Sequence, residues 1–480
     1  MRLIYIFLIL ILLTGCSKEK AKEQYSVKLV MLKNKNPLLK SEKLIPPLPL
    51  TSYFSIFDIY KTDKNGIVML EKDKSKPFYY PILYSRVALA EYQAYYKTKE
   101  EKHREKFMKY VNFIYKSRVD INNFSVWQCN QPVKPYNLKT PWSSAMAQGY
   151  ILSVMIQAYS LTQDKKYLEL AKRAVKAYKQ PIEKGGCSND WNGTPFYEEY
   201  ADPDSHVLNG NIFSLYGLYY FYYNYNNKEA KQLFDQGIKS LQVKLKEYDA
   251  DFTSFYNKQT TYKFSSTIGK DPDHYHELVI RQLLTLYYWT NKDFLKEYAH
   301  LFLRYDLGNM SSLHPQNKFK KIVASYTIEP KNYGVNRLND ELYSWGKYWS
   351  FYKYKTNLDI DFNGVKNNIS DIVFYSNSFK SLPEKYQIFI KNKDNYQYVC
   401  DNTDINGYVL RKYKTGKFKS FIQKITLPKK YKGNGIRIRF IPHDETVYKL
   451  TEINIFFDRY DVLEDILNFV KNNSSLPNKK

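Results

Sequence analysis

Ala158-Tyr159-Ser160-Leu161-Thr162-Gln163-Asp164-Lys165-Lys166-Tyr167-Leu168 joins two apolar patterns of the same period across a short polar break. The stretch before the break is apolar at helical spacing, and Tyr167, Leu168, Ala171 and Val175 resume that spacing after it, so the segment reads as the tip of a helical hairpin. The tip recurs. Tyr95-Tyr96-Lys97-Thr98 precedes Phe107, Tyr110 and Val111; Tyr222-Tyr223-Asn224-Tyr225-Asn226 precedes Leu233, Phe234 and Ile238; Tyr287-Tyr288-Trp289-Thr290 precedes Phe294, Leu295, Tyr298 and Leu301. Positions 98, 162, 226 and 290 are each separated by 64 residues, which predicts four helix pairs packed side by side. The fold class expected is mainly α: an α/α toroid-like domain of paired helices. The long joints at 118–142, 180–206 and 248–273 are expected on one rim, where a site would be built.

Outward from the repeat, the pattern changes on both sides. Tyr53-Phe54-Ser55-Ile56-Phe57 and Ile67-Val68-Met69-Leu70 flank Asp63-Lys64-Asn65-Gly66, a small β-hairpin by composition. Beyond about residue 357 the apolar period falls to two, as in Gln387-Ile388-Phe389-Ile390 and Ile436-Arg437-Ile438-Arg439-Phe440, predicting a β-sandwich over 357–460. Tyr448-Lys449-Leu450-Thr451-Glu452-Ile453 resembles the last strands of discoidin-like jelly rolls, which implies either a sugar-binding module or a packing module without ligand. Residues 461–480 are expected to be a C-terminal helix and tail.

Residues 1–16 read as a secretory signal. The apolar run from Leu3 to Leu13 is far shorter than the roughly 20 residues that cross a bilayer. Leu13-Thr14-Gly15-Cys16 resembles a bacterial lipobox, which implies lipidation of Cys16, export and a membrane anchor, with Ser17 fitting the outer-membrane pattern. Residues 17–50 would be a polar tether and 51–356 the body. Cys129, Cys187 and Cys400 match no zinc spacing; Cys129 and Cys187 could pair or remain buried thiols. Lys and Arg number 73 against 48 Asp and Glu, a net charge of +25 that permits a polyanionic partner. For an exported protein that partner would be an acidic polysaccharide and no nucleic acid; a homodimer is left open.

The joints carry the densest polar and aromatic clusters: Trp127-Gln128, Trp142-Ser143-Ser144-Ala145-Met146-Ala147-Gln148-Gly149, Tyr197-Glu198-Glu199-Tyr200, Val207-Leu208-Asn209-Gly210, Tyr256, and Tyr275-His276 with Gln282-Leu283. In order and spacing four of these, Ser144-Ala145-Met146-Ala147-Gln148-Gly149, Tyr197-Glu198-Glu199-Tyr200, Val207-Leu208-Asn209-Gly210 and Tyr275-His276 with Gln282-Leu283, resemble the glucuronyl C5-epimerase family across roughly residues 50 to 306. The resemblance implies Glu199 and Tyr275 as an acid and base pair, Tyr200 and Tyr256 assisting, and Asn209 positioning substrate. It has one departure. Where the family has an arginine three residues after the tyrosine aligned with Tyr256, this chain has Gln259, so Lys258 or Arg281 would have to neutralise the substrate carboxylate, or the substrate differs.

Inverting the carbon beside a uronate carboxylate asks for such residues independently. One group must take a proton from one face and another must return one to the opposite face. Donors must then meet the enolate-like intermediate, for which Tyr200, Tyr256, Asn209 and His276 are candidates. Gln148, Trp142 and Trp127 complete the substrate-binding set as polar or sugar-stacking groups, the tryptophans reading equally as core. No cofactor or metal is called for. Two alternatives stay open: a polysaccharide lyase, since the same proton abstraction ends in elimination if the 4-oxygen leaves, and a non-catalytic glycan-binding lipoprotein.

Overall fold

The computed structural model describes residues 61–473 apart from 72–75, 134–135, 137, 251–253, 259–274, 309–320, 329–333, 336–337, 339–347, 363–365, 402–408, 416–417, 443–445 and 459. Four helical hairpins follow one another: α1 (Pro81–Thr98) with α2 (Glu101–Lys116), α3 (Ala145–Thr162) with α4 (Lys165–Lys176), α5 (Leu208–Tyr225) with α6 (Lys228–Lys244), and α7 (Tyr275–Thr290) with α8 (Asp293–Gly308). The repeat spacing has a local cause. The first helix of each pair is closed by a left-handed residue, Lys99, Gln163, Asn226 or Asn291, with φ between 50° and 59°. Such a residue satisfies the last helical carbonyls while reversing the chain, and asparagine tolerates it best.

Burial divides the helices into two layers. The second helices bury one stripe: Phe107, Tyr110, Val111 and Ile114 on α2; Tyr167, Leu170, Ala171, Ala174 and Val175 on α4. The first helices are buried all round, α3 from Ala145 through Ala158 and α5 from Leu208 through Phe221. They therefore form the inner layer, where α3 lies against α1 and α5, and α5 against α7. Close approach of α3 and α5 depends on two glycines. A Cβ on Gly217 would lie 2.3 Å from the carbonyl oxygen of Gly149, and one on Gly149 would lie 2.7 Å from that of Phe213. The glycine of the Ser-Ala-Met-Ala-Gln-Gly motif is thus a helix-crossing residue.

The N-terminal hairpin pairs β1 (Lys61–Thr62) with β2 (Val68–Met69). Its turn is held by the Asp63 carboxylate, which accepts from the backbone N–H of Asn65 and Ile67. Tyr53-Phe57, the first strand expected from sequence, lies outside the described residues. Short ribbons fill the joints: β3 (Val119–Ile121) with β4 (Phe124–Val126), β5 (Gln128–Cys129) with β6 (Trp142–Ser143), and β7 (Ser188–Asp190) with β8 (Pro195–Tyr197).

The C-terminal strands are β9 (Lys321–Ala324), β10 (Trp349–Phe351), β11 (Thr356–Asp361), β12 (Asn367–Ser376), β13 (Tyr386–Asn392), β14 (Asn395–Asp401), β15 (Val409–Thr415), β16 (Phe418–Gly433), β17 (Gly435–Phe440), β18 (Tyr448–Leu450) and β19 (Glu452–Phe457). They form a five-stranded sheet ordered β14-β13-β17-β11-β9 and a four-stranded sheet ordered β15-β16-β12-β19, with β10 paired to β18. The boundary at 357 needs correction. β9 pairs with β11 in the first sheet, so the sheet region begins at Lys321. Such a short strand, distant from its partner in sequence, gives little periodic signal.

Nor is the β-region a detached tail. Along β12, Ile372 and Phe374 enter the sandwich core, while Val373 and Tyr375 enter the helical core. That alternation is the period of a strand buried on both faces. Helix α8 adds three side chains at successive turns on one side: Lys296 pairs with Glu464, His300 hydrogen-bonds Asp458, and Arg304 pairs with the buried Asp371. The last helix, α9 (Tyr460–Asn473), sends Leu463, Ile466, Leu467 and Val470 back into the helical core. Cys129, Cys187 and Cys400 are buried and none is in a disulfide, so the Cys129–Cys187 pairing is not formed.

Candidate active site

The joints precede the inner helices, so residues just ahead of α1, α3, α5 and α7 share one rim. Tyr80 is the N-cap of α1, Ser144 caps α3, Val207 caps α5, and Tyr275 opens α7. Around them a small apolar cluster of Cys129, Tyr136, Leu138, Trp142 and Val207 packs with Tyr80, Tyr200 and Tyr256. The helix starts bring positive dipole ends to this rim, which favours anions there.

Strand β8 delivers Tyr197-Glu198-Glu199-Tyr200, and the two glutamates have different fates. Glu198 is fully buried and saturated: its carboxylate accepts from Asn189 Nδ2, Ser205 Oγ and the His206 backbone N–H, and pairs with His206 Nδ1 at 2.7 Å. It holds the Asp202–His206 loop in place. Glu199 is also buried, but its Oε2 has no hydrogen-bond partner among the described residues. That oxygen lies against the first turn of α5, where a Cβ on Gly210 would come within 2.3 Å of it. Only glycine leaves room there. Burial pushes the Glu199 carboxyl up to about 7; the adjacent Tyr200 hydroxyl pulls it down, and the charge of Glu198 pushes it further up.

Phenols surround this carboxyl. Tyr200 stacks on Tyr136 with ring centroids 4.4 Å apart and lies 5.6 Å from Trp142, and Tyr256 meets Tyr275 at 4.6 Å. Burial first, and the Glu199 charge next, raise the pKa of Tyr200, Tyr256 and Tyr136; for Tyr80 burial comes first, with Cys129 and Glu199 after it. The site therefore offers one carboxyl that titrates near neutrality among phenols that stay protonated. Such a set can take a proton and give one back without metal chemistry.

Not every residue chosen from sequence reaches this cluster. Trp127 is core, its indole N–H donating to the Ile114 carbonyl at 2.7 Å. Gln148 spends its amide N–H groups on the carbonyls of Ser125 and Ala174, tying α3 to the joint and to α4. His276 is structural: Nδ1 faces the Ser254 N–H and hydroxyl, and Nε2 faces the Phe302 carbonyl. Arg281 lies beside Tyr216, whose pKa burial raises while a Thr285 hydrogen bond and the Arg281 charge pull it down. Trp142, by contrast, walls the cluster next to Tyr200, with its N–H donating to the Gln131 carbonyl. Asn209 is buried one residue before Gly210 with its Oδ1 unpaired. The Lys258 ammonium lies 4.7 Å over the Phe255 ring, and its backbone N–H donates to Ser205. Gln259 and Cys16 lie outside the described residues. Among those described, no three His, Cys, Asp or Glu side chains are grouped to hold a metal ion.

Sequence reading missed Tyr80, Tyr136 and Asn257. The Asn257 amide donates to the Tyr136 hydroxyl at 2.9 Å, fixing the ring on which Tyr200 stacks. In a chain with 48 tyrosines, neither tyrosine stood out by type. Their one signal was place, Tyr80 directly before the helix-opening Pro81 and Tyr136 inside the first long joint.

A measurable consequence follows from burying Glu199. An unfolded carboxyl ionises near 4.5, whereas the folded one holds its proton up to about 7. Between those values the folded chain binds more protons, so stability falls as pH rises through that window. Above it the loss is on the order of 3 kcal/mol. Glu199→Gln removes this loss. Urea unfolding is expected to show the variant more stable than the parent by that order at pH 8 and equal to it near pH 4.5. Equal stability at both pH values would mean that Glu199 ionises in the folded protein without cost.

A buried carboxyl ringed by phenols at the rim of a helical-hairpin domain defines a protein equipped for acid–base chemistry. The family described as D-glucuronyl C5-epimerase C-terminus matches over residues 121–304, in accord with the resemblance carried by the motifs. The chain is 32% identical over 174 residues to the D-glucuronyl C5-epimerase of Caenorhabditis elegans, covering 33% of this chain and 28% of that protein. It is 31% identical over 189 residues to an uncharacterised protein of Methanocaldococcus jannaschii, covering 38% of this chain and 59% of that one. The matches thus span under two thirds of these relatives. Among solved structures, the family 32 carbohydrate-binding module of C. perfringens NanJ in complex with galactose aligns at TM-score 0.22 and 12% identity, over 28% of this chain and 92% of that one. A chitosan-binding module from Paenibacillus sp. IK-5 aligns at 0.22 and 16%, over 29% and 98%. At these scores the structural likenesses decide neither fold nor ligand.

Proposed function

We propose that the protein is a uronyl 5-epimerase that inverts C5 of a hexuronic acid, of the glucuronate or iduronate type, within an acidic polysaccharide. The observation that carries this reading is Glu199: a buried carboxyl with a pKa near 7, one oxygen unpaired, set among tyrosines in a segment matching the epimerase family. In the reaction one group takes the C5 proton, and the electron pair of the broken C–H bond moves into the uronate carboxylate as an enolate. A second group delivers a proton to the opposite face, the electron pair returns to C5, and no atom is gained or lost. Glu199 and Tyr275 are the two groups, and Tyr200 and Tyr256 are the phenol donors aimed at the developing charge. The helix starts along the rim favour the same charge.

The net charge of +25 suits a polyanionic chain. We place the protein outside the cell, held at a membrane through lipid on Cys16. No helix among the described residues is long and apolar enough to cross a membrane. The test is incubation with uronate polymers in heavy water. NMR should show deuterium entering C5, and ultraviolet absorbance should show no unsaturated product. Unsaturation would make the enzyme a lyase, and neither signal on a polymer that it binds would make it a glycan-binding lipoprotein.

A further inference from the structure

Far along the chain from the acid–base cluster, three tyrosines meet at one end of the sandwich. Tyr326 follows β9, and Tyr352 and Tyr354 bracket Lys353 between β10 and β11. The Tyr326 ring lies 5.2 Å from that of Tyr354 at 73° and 6.4 Å from that of Tyr352 at 56°. Tyr354 is 55% exposed, and the other two rings are partly exposed. Isolated surface aromatics are ordinary, but two rings packed against a third need a reason.

The backbone beneath them is fixed and strained. The Tyr354 N–H donates to the Tyr352 carbonyl at 2.7 Å across Lys353, whose φ is 66°. This is the rarer γ-turn, a conformation that a lysine adopts only when its surroundings impose it. Those surroundings are visible. Ser325 N–H donates to the Asn357 carbonyl and Ile328 N–H to the Ser350 carbonyl, so the two segments are laced on both sides of Tyr326. Trp349 and Phe351 anchor the turn in the core, with the Trp349 indole N–H donating to Thr327 Oγ1. The strain presents Tyr352 and Tyr354 around one exposed apex.

We infer that Tyr326, Tyr352 and Tyr354 form a second binding site, which shares no residue with the acid–base cluster and holds a pyranose unit of the acidic polysaccharide. One face of a pyranose is lined by C–H groups that pack on the negative face of an aromatic ring, while its hydroxyls project at the edge within reach of phenol hydroxyls. Lys353 and Lys355 stand exposed on either side of Tyr354, and among the described residues neither is paired with a carboxylate. They supply positive charge where a uronate carboxylate would lie, which selects an acidic chain over a neutral one. The polymer class rests on the function proposed above; the site does not.

Affinity electrophoresis of the full chain tests this in about 0.15 M salt, which screens diffuse charge attraction. The gels contain polygalacturonate, alginate, hyaluronan, an unsulfated glucuronate–N-acetylglucosamine polymer, or neutral hydroxyethylcellulose. Retardation is expected in at least one acidic polymer and not in the neutral one. Tyr354→Ala and Tyr326→Ala should each weaken it by about tenfold, with Tyr354→Phe close to the parent. Lys353→Glu combined with Lys355→Glu should weaken it further. Thermal melting shows whether each variant is folded. Equal retardation of Tyr354→Ala and the parent, no retardation of the parent, or equal retardation in the neutral polymer would overturn the site. Deuterium exchange at C5 of short oligouronates separates the two claims. Absence of exchange in the parent removes the epimerase reading, and loss of retardation in Tyr354→Ala would still uphold the second site.

Discussion

Glu199→Gln is expected to lower epimerisation by about 10³-fold or more while leaving the protein folded. Glutamine fills the same space beside Gly210 but cannot gain or lose a proton in the working pH range. Because the carboxyl titrates near 7, the parent passes from a protonated to an ionised Glu199 across neutrality, and its rate must change on that side of the pH profile. If Glu199 is the base for the direction assayed, the rate falls as pH drops through about 7; if it is the acid, the rate falls as pH rises through it. Either flank should vanish from the residual activity of the glutamine variant. Steady-state rates on a uronate polymer from pH 5 to 9 check this. Unchanged turnover in the variant would remove Glu199 from the chemistry.

Tyr275→Phe carries the second large effect, a loss of about 10²- to 10⁴-fold. Tyr275 opens α7 with its ring 4.6 Å from that of Tyr256. Phenylalanine keeps the ring packing and deletes only the hydroxyl, so the variant isolates proton transfer from structure. Tyr256→Phe makes the comparison informative: as a donor to developing charge rather than a proton carrier, Tyr256 should cost less. Equal, small losses in both would show a packing cluster and no assigned acid.

The helical body was legible because its signal is local. An αL closure after each inner helix fixes a repeat that can be counted along the chain, and burial on all sides makes α3 and α5 apolar throughout. The sheet boundary was not legible, since β9 is a short strand whose partner lies more than thirty residues away. At the site, Glu199, Tyr200, Tyr256 and Tyr275 lie together. Trp127, Gln148 and His276 turned out to serve the scaffold. A polar motif residue hydrogen-bonded to backbone carries the same letter as one that meets substrate, and the difference lies in partners from distant segments. Tyr136 shows the converse. Its importance comes from Asn257, 121 positions away, which no local pattern exposes.

The central claim is that two groups work from opposite faces of C5. It is tested most directly by following exchange of C5 hydrogen with heavy water separately in each epimer of the substrate, using Glu199→Gln and Tyr275→Phe. With two bases, each variant retains exchange in one epimer and loses it in the other, the two variants being complementary, and neither completes inversion. If either variant exchanges both epimers at the parent rate, or both variants lose the same epimer alone, the assignment of Glu199 and Tyr275 to opposite faces is contradicted.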